Sequence, residues 1–150
     1  MTTIGNDHEL KMALDGLTPD QQRVLGGKFV ENVLGLCDDT LVQRAVAVAV
    51  DPDAPDAARE DAFRSAKAIS VKTYTDCGKD TDWMAQAAHF VAAAAAACLT
   101  PQSQPGDTSA AWKAAMQARM ARNCEMIERQ DGETHDEAEV QYRIATELVS

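Results

Sequence analysis

DWMAQAAHFVAAAAAACL, residues 82–99, decides the fold of this chain. Nine of its eighteen positions are alanine, the strongest helix former, and after Asp82 no Asp, Glu, Lys or Arg occurs before Asp107. A helix with no charged face has no side to turn toward water. The stretch therefore predicts a central helix over 82–99 that its neighbours approach closely on all sides, which small side chains permit. It is too short and too alanine-rich for a membrane span.

Outward from this segment, further helices are marked by their caps. Thr18-Pro19-Asp20-Gln21 joins a capping hydroxyl, a proline at the first helical position, an acid in the first turn and a capping-box glutamine. A helix is expected over 19–36, with Val24, Leu25, Phe29, Val33 and Leu36 at helical spacing and Gly26-Gly27 marking a kink or a close helix crossing. Asp38 and Asp39 can cap a segment over 40–50. Its Ala-Val alternation also suits a strand, but no second strand-like run offers a partner, so it reads as helix. Asp51-Pro52-Asp53-Ala54-Pro55 stops it.

Residues 56–74 are amphipathic, with Ala58, Ala62, Phe63, Ala66, Ile69 and Val71 inward. Arg59, Glu60, Arg64, Lys67 and Lys72 face out, Glu60 and Arg64 standing four apart. Cys77-Gly78-Lys79 ends this helix, and Asp80 or Thr81 caps the alanine helix. Residues 100–107 read as a flexible Pro, Gly and Ser loop. Thr108 or Ser109 caps a long helix to about 130, with Trp112, Ala115, Met116, Met120, Cys124 and Ile127 along its apolar side and Lys113, Arg119, Arg122 and Arg129 on a solvated face. Gly132 ends it. Thr134-His135-Asp136-Glu137 forms a second capping box, opening a last helix through Val140, Ile144 and Leu148. The expected architecture is all-α: one domain over residues 1–150, a bundle of six or seven helices around the segment 82–99.

Aromatic residues make up only 5% of the chain, so the core must be built from Leu, Val, Ile, Met and Ala. Residues 1–16 are mixed and join no basic region to an apolar run, which argues against secretory export. Cys37, Cys77, Cys98 and Cys124 are scattered without a close pair and read as thiols in a reducing cytoplasm. Net charge is −10, with ten acids against four bases in residues 1–56 and six against one in 131–150, while residues 57–100 balance. That field repels phosphate backbones and anionic lipid, which excludes nucleic acid and membrane as expected partners and favours a basic protein surface.

Catalytic signatures are missing from the chain. His89, the one titratable group in the apolar stretch, is a candidate base or ligand, but a histidine bonded to a neighbouring helix explains it as well. Zinc would need closely spaced Cys or His pairs, and none occurs; no metal or cofactor is assigned. Cys77 beside Lys79 lacks a placed histidine. The pairs Asp38-Asp39 and Asp136-Glu137 fall in first turns, where acids stabilise the helix dipole. Two functional readings lead, with an enzyme using His89 together with Cys77 or an acid as a third, since residues distant in sequence can converge. The first is a non-catalytic protein that binds a partner, steered by acids such as Glu133, Asp136, Glu137 and Glu139, with self-association as a further possibility. The second is a small-ligand or cofactor protein with a pocket around His89 lined by Trp83, Met84, Phe90 and Trp112.

The order of an Ala/Arg helix (Ala57-Ala58-Arg59 to Lys67-Ala68), an alanine helix carrying Ala88-His89 and Ala92 to Ala97, and a Trp-bearing helix (Ala111-Trp112-Lys113) resembles the alanine-rich, all-helical immunity proteins of bacterial toxin systems. The resemblance covers about residues 57–125 and rests on composition and helix order. It implies a non-enzymatic inhibitor that occludes a toxin domain.

Overall fold

A computed structural model describes residues 3–76, 82–101, 109–130, 132 and 136–149. Its seven α-helices are α1 (Asp7–Asp15), α2 (Pro19–Glu31), α3 (Thr40–Ala49), α4 (Asp56–Asp76), α5 (Trp83–Leu99), α6 (Ala110–Arg129) and α7 (Glu137–Val149), with a one-turn 3-10 helix at Leu34–Leu36. No strand occurs among the described residues, and no helix there is long and apolar enough to cross a membrane. The sequence 100–107 falls mostly outside the described residues, as do Cys77, Gly78, Lys79 and Glu133.

The alanine segment is central, as its composition predicts. Ala87, Val91, Ala92, Ala94, Ala95, Ala96, Cys98 and Leu99 are buried, and α5 packs on α2, α3, α4, α6 and the 3-10 turn. A second cluster lies beyond α2 and α6, where Ile4, Leu10, Leu14, Leu25, Phe29, Ala111, Ala115 and Ala145 join α1, α2, α6 and α7. Helix α2 separates the two clusters, and its glycines explain how. A Cβ on Gly26 would sit 2.8 Å from the Cys98 Cβ and 3.3 Å from the Ala111 Cα; one on Gly27 would sit 2.8 Å from Val50 Cγ1 and 3.0 Å from Ala49 Cβ. The pair is a close crossing on two sides, and the helix runs through it.

Several local expectations are corrected. Helix α2 stops at Glu31, where the Val33 amide bonds the Val30 carbonyl in a tighter turn, and the Asn32 carbonyl accepts from Arg122 Nη2 at 3.0 Å. Helix α1 has no counterpart in the sequence reading; Asn6 caps it by accepting from the Glu9 amide, and Leu10 and Leu14 bury its one apolar edge. Val71 is 58% exposed, Met120 44% and Ile127 43%, so none belongs to the core. The face of α6 that turns inward is Ala111, Ala114, Ala115, Ala118, Ala121 and Cys124, since only small side chains fit against an alanine helix. Gln130, in a left-handed conformation with φ of 49°, terminates α6 ahead of Gly132. Asp136, whose carboxylate accepts from the Glu139 amide, stands before α7; Thr134 of the expected capping box lies outside the described residues. Arg64 pairs with Asp61, three residues back, rather than with Glu60.

Lys113 and Arg129 of α6 are exposed as expected, but Arg119 and Arg122 are not part of a solvated face. Arg119 reaches Asp7 at 2.8 and 3.1 Å and Gln141 at 2.8 Å, while the Tyr142 hydroxyl donates to Asp7 at 2.7 Å. The Arg119 guanidinium is the main reason the Asp7 carboxyl is held below the usual carboxylate range. Gln141 is fully buried and donates to the Ala115 carbonyl at 2.9 Å. Gln22 plays the same part near the start of α6: it donates to the Leu14 carbonyl and accepts from the Ala111 amide at 3.2 Å and from the Ser109 hydroxyl. Burying a polar side chain costs free energy unless it is hydrogen-bonded, and these two glutamines satisfy backbone groups that helix ends and crossings expose.

Candidate ligand and partner sites

The five residues expected around one pocket are divided by the fold. Trp83 and Met84 stand at the start of α5, half-buried and 38% exposed respectively, and His89 and Phe90 are half-buried one to two turns on. Trp112 lies near the other end of α5, close to Ala96 and Ala97. The rise from position 89 to 97 of a helix is about 12 Å, so Trp112 and His89 serve different places. Tyr74, which the sequence reading did not single out, is the aromatic neighbour of His89, with ring centroids 5.9 Å apart; Phe90 is at 5.3 Å.

His89 acts as a clasp between α4 and α5. Its Nδ1 lies 2.9 Å from Thr73 Oγ1, and that hydroxyl directs its single hydrogen to the Ile69 carbonyl at 2.7 Å. Burial lowers the His89 pKa from 6.5, opposed by the Ser70 backbone. A lowered folded value means that the unfolded chain takes up the proton first as pH falls. Stability is therefore complete above the ordinary histidine value and declines as pH drops from about 6.5 toward the folded pKa. Urea midpoints measured at pH 7.5 and 5.5 should show this loss, and His89→Gln should reduce it; an unchanged difference in the variant would assign the loss elsewhere.

The acidic tail also departs from expectation. The Glu137 side chain is 4% exposed and bonded to Arg122 Nε at 2.9 Å and Asn32 Nδ2 at 2.6 Å, so it offers nothing to a partner. Asp136 and Glu139 are exposed. Burial pushes the thiols of Cys37 and Cys98 up, Cys98 to about 12, which makes both poor nucleophiles. Among the described residues no group of three His, Cys, Asp or Glu side chains gathers to hold a metal.

Open space is found instead along the C-terminal half of α5. A groove of about 480 Å³ has Phe63, Lys67 and Ser70 of α4 on one wall, Trp112, Lys113, Met116 and Gln117 of α6 on the other, and Ala93, Ala96, Ala97 and Thr100 as its floor. Phe63, Lys67 and Ser70 follow one another at spacings of four and three, which sets them on a single helical face, as does the spacing of four between Trp112 and Met116. Lys11 caps the Trp112 ring from α1 at 4.5 Å, and the Arg119 guanidinium lies 5.6 Å from it. A second cleft of about 450 Å³, between α2, α4 and the end of α5, shares Phe63 and Thr100 with the groove. A third space of about 510 Å³ between α2 and α7 is bordered by Lys28, Glu31, Asn32 and Glu147 with Ile144 and Leu148. Compared with known proteins, the chain matches no protein-family model, no curated protein and no solved structure.

Proposed function

We propose that this protein is a non-catalytic binding protein whose α4–α5–α6 groove seats an amphipathic helix of a partner protein. One observation carries the reading: Ala93 and Ala97 are left half-exposed as a floor between two walls that present Phe63, Trp112 and Met116. Alanines on a floor let a fourth helix approach closely, and the aromatic and methionine side chains supply anchors for apolar residues at helical spacing. In a chain of net charge −10, the two formally charged residues bordering the groove are both lysines, Lys67 and Lys113. Each is exposed and makes no ion pair among the described residues. The matching helix has an apolar stripe flanked by acids. Its charge is opposite to that of the basic partner expected from the chain as a whole. Covering a toxin domain, the task implied by the resemblance in helix order, would use such a seat.

The test compares capture by the wild-type chain with capture by Ala93→Trp and Ala97→Arg, which fill the groove from half-exposed positions. A stoichiometric partner from the native host should be retained by wild type and by Glu139→Lys, and retained at least tenfold less by both groove variants, by Lys67→Glu with Lys113→Glu, and at raised salt. Retention by the filled groove sinks the reading. So does a concentration-dependent dimer in light scattering that Ala97→Arg abolishes, since the occupant is then a second copy.

A further inference from the structure

The cleft between α2, α4 and the end of α5 is distinct in chemistry from the groove. Phe63, Leu99, Cys98 and Pro19 give it an apolar lining. Three arginines border it, and two are satisfied. Arg23 donates to the Ala49 carbonyl at 3.2 Å, to the Asp51 carbonyl at 2.7 Å and to Asp20 at 2.7 Å; Arg64 pairs with Asp61. Arg59 is different. Its Nη2 meets Asp56 and its Nη1 lies 3.5 Å from Asp20, but its Nε is buried and has no hydrogen-bond partner. A buried donor of a charged group left unpaired is costly, and native proteins leave few of them.

We infer that this cleft binds a small, uncharged, mostly apolar molecule with one carbonyl-type acceptor, which accepts the hydrogen bond from Arg59 Nε. The unpaired group is a donor, so the ligand must supply an acceptor. The charge balance gives a carboxylate no surplus of positive charge to bind: Arg23, Arg59 and Arg64 on the border are matched by Asp20, Asp56 and Glu60. An anion would meet a border of no net charge on a chain of net charge −10. The volume lies within the range of about 300–1,000 Å³ typical of small-ligand sites. Arg59 Nε is closed off where the side chain lies, so a ligand reaches it only when the side chain turns toward the cleft. Its tethers permit this, because the Asp56 and Asp20 side chains are 86% and 68% exposed and such surface pairs hold weakly. The inference stands on this cleft alone and is independent of the helix seat.

Three probes of similar shape test it on the full chain: acetophenone, neutral with a carbonyl; styrene, neutral without an acceptor; and benzoate, charged. The readout is the 1H–15N spectrum, followed at the Arg59 Nε–Hε resonance and at the amides of Phe63, Cys98 and Leu99. Acetophenone should shift all of these saturably with millimolar affinity, and styrene and benzoate should bind about tenfold more weakly, as loss of a hydrogen bond to a charged donor requires. Arg59→Lys keeps the charge that pairs with Asp56 and should lower acetophenone affinity about tenfold while leaving styrene unchanged. The inference is overturned if acetophenone produces no saturable shift at these sites, if benzoate or styrene binds as tightly, or if Arg59→Lys binds acetophenone like wild type. The three probes on the wild-type chain decide the matter even if the variant fails to fold.

Discussion

Arg122→Ala is expected to lower the unfolding free energy by about 3 kcal/mol, the low end of what removing one partner of a buried ion pair costs. Arg122 is 16% exposed and holds three elements at once: Glu137 of α7, Glu125 of its own helix at 2.7 Å, and the Asn32 carbonyl beyond the end of α2. Without it the Glu137 carboxylate stays buried with only Asn32 Nδ2 as a donor, and the exposed Asn32 carbonyl is left to solvent. The remaining Asn32 bond is the reason for choosing the low end. Urea unfolding followed by helical ellipticity at pH 7 measures the loss. Arg122→Met combined with Glu137→Gln removes both charges while leaving an acceptor for Asn32, and it should recover more than half of it. A single-variant cost under about 1 kcal/mol would mean that the pair behaves as an exposed one and that α7 is held by its apolar face alone.

How legible this molecule is in its sequence depends on the range of the interaction that decides each feature. The alanine helix, the capping box at Thr18 and the stop at Pro52 are local, and the structure has each where the residues put it, except that Asp82, accepting from the Ala85 amide, caps the alanine helix in place of Asp80 or Thr81. Helix α1 is local too, but it is only nine residues long with two buried leucines, too little periodicity to stand out from a mixed segment. Of the apolar side expected on α6, Ala115 and Cys124 are buried and Trp112 and Met116 pack at the edge of the core, but Met120 and Ile127 are exposed and further alanines take the inward face, because α5 leaves little room for large side chains. Fitting volume overrode hydrophobicity, and only the neighbouring helix determines that volume. The same long-range contacts make acids and bases change roles: Glu137 and Arg122 look like surface charge until α2, α6 and α7 converge. The groove beside the alanine helix lies at Ala93, Ala97 and Thr100, one to three turns beyond His89. Spacing alone marks Phe63, Lys67 and Ser70 as one face. Their facing Trp112 and Met116 across an alanine floor is a property of the assembled bundle.

The double change Gly26→Ala, Gly27→Ala should destabilise the fold by about 4 kcal/mol, against the gain of about 1 kcal/mol per site that alanine brings to an unconstrained helix. The sign is settled by what the new methyl groups meet. At Gly26 the obstacles are the Cβ of Cys98 and the Cα of Ala111, and at Gly27 the Cβ and carbonyl carbon of Ala49 join Val50 Cγ1. Cβ and backbone atoms cannot rotate away as a long side chain can, so whole helices must separate: α2 from α5 and α6 on one side, and from α3 on the other. Separation loosens contacts along each crossing, a cost larger than the propensity gained. Because the two residues press on different helices, their effects should be nearly additive. Gly35→Ala supplies the control: a Cβ there meets nothing within 4 Å and no positive φ opposes it, so the change should be neutral or stabilising by up to about 1 kcal/mol. Thermal and urea unfolding of the two single crossing variants, Gly26→Ala and Gly27→Ala, of their combination and of Gly35→Ala distinguish the outcomes. If both crossing variants stabilise the chain as Gly35→Ala does, α2 does not pass at this distance between its neighbours, and the alanine helix is not sheathed on that side.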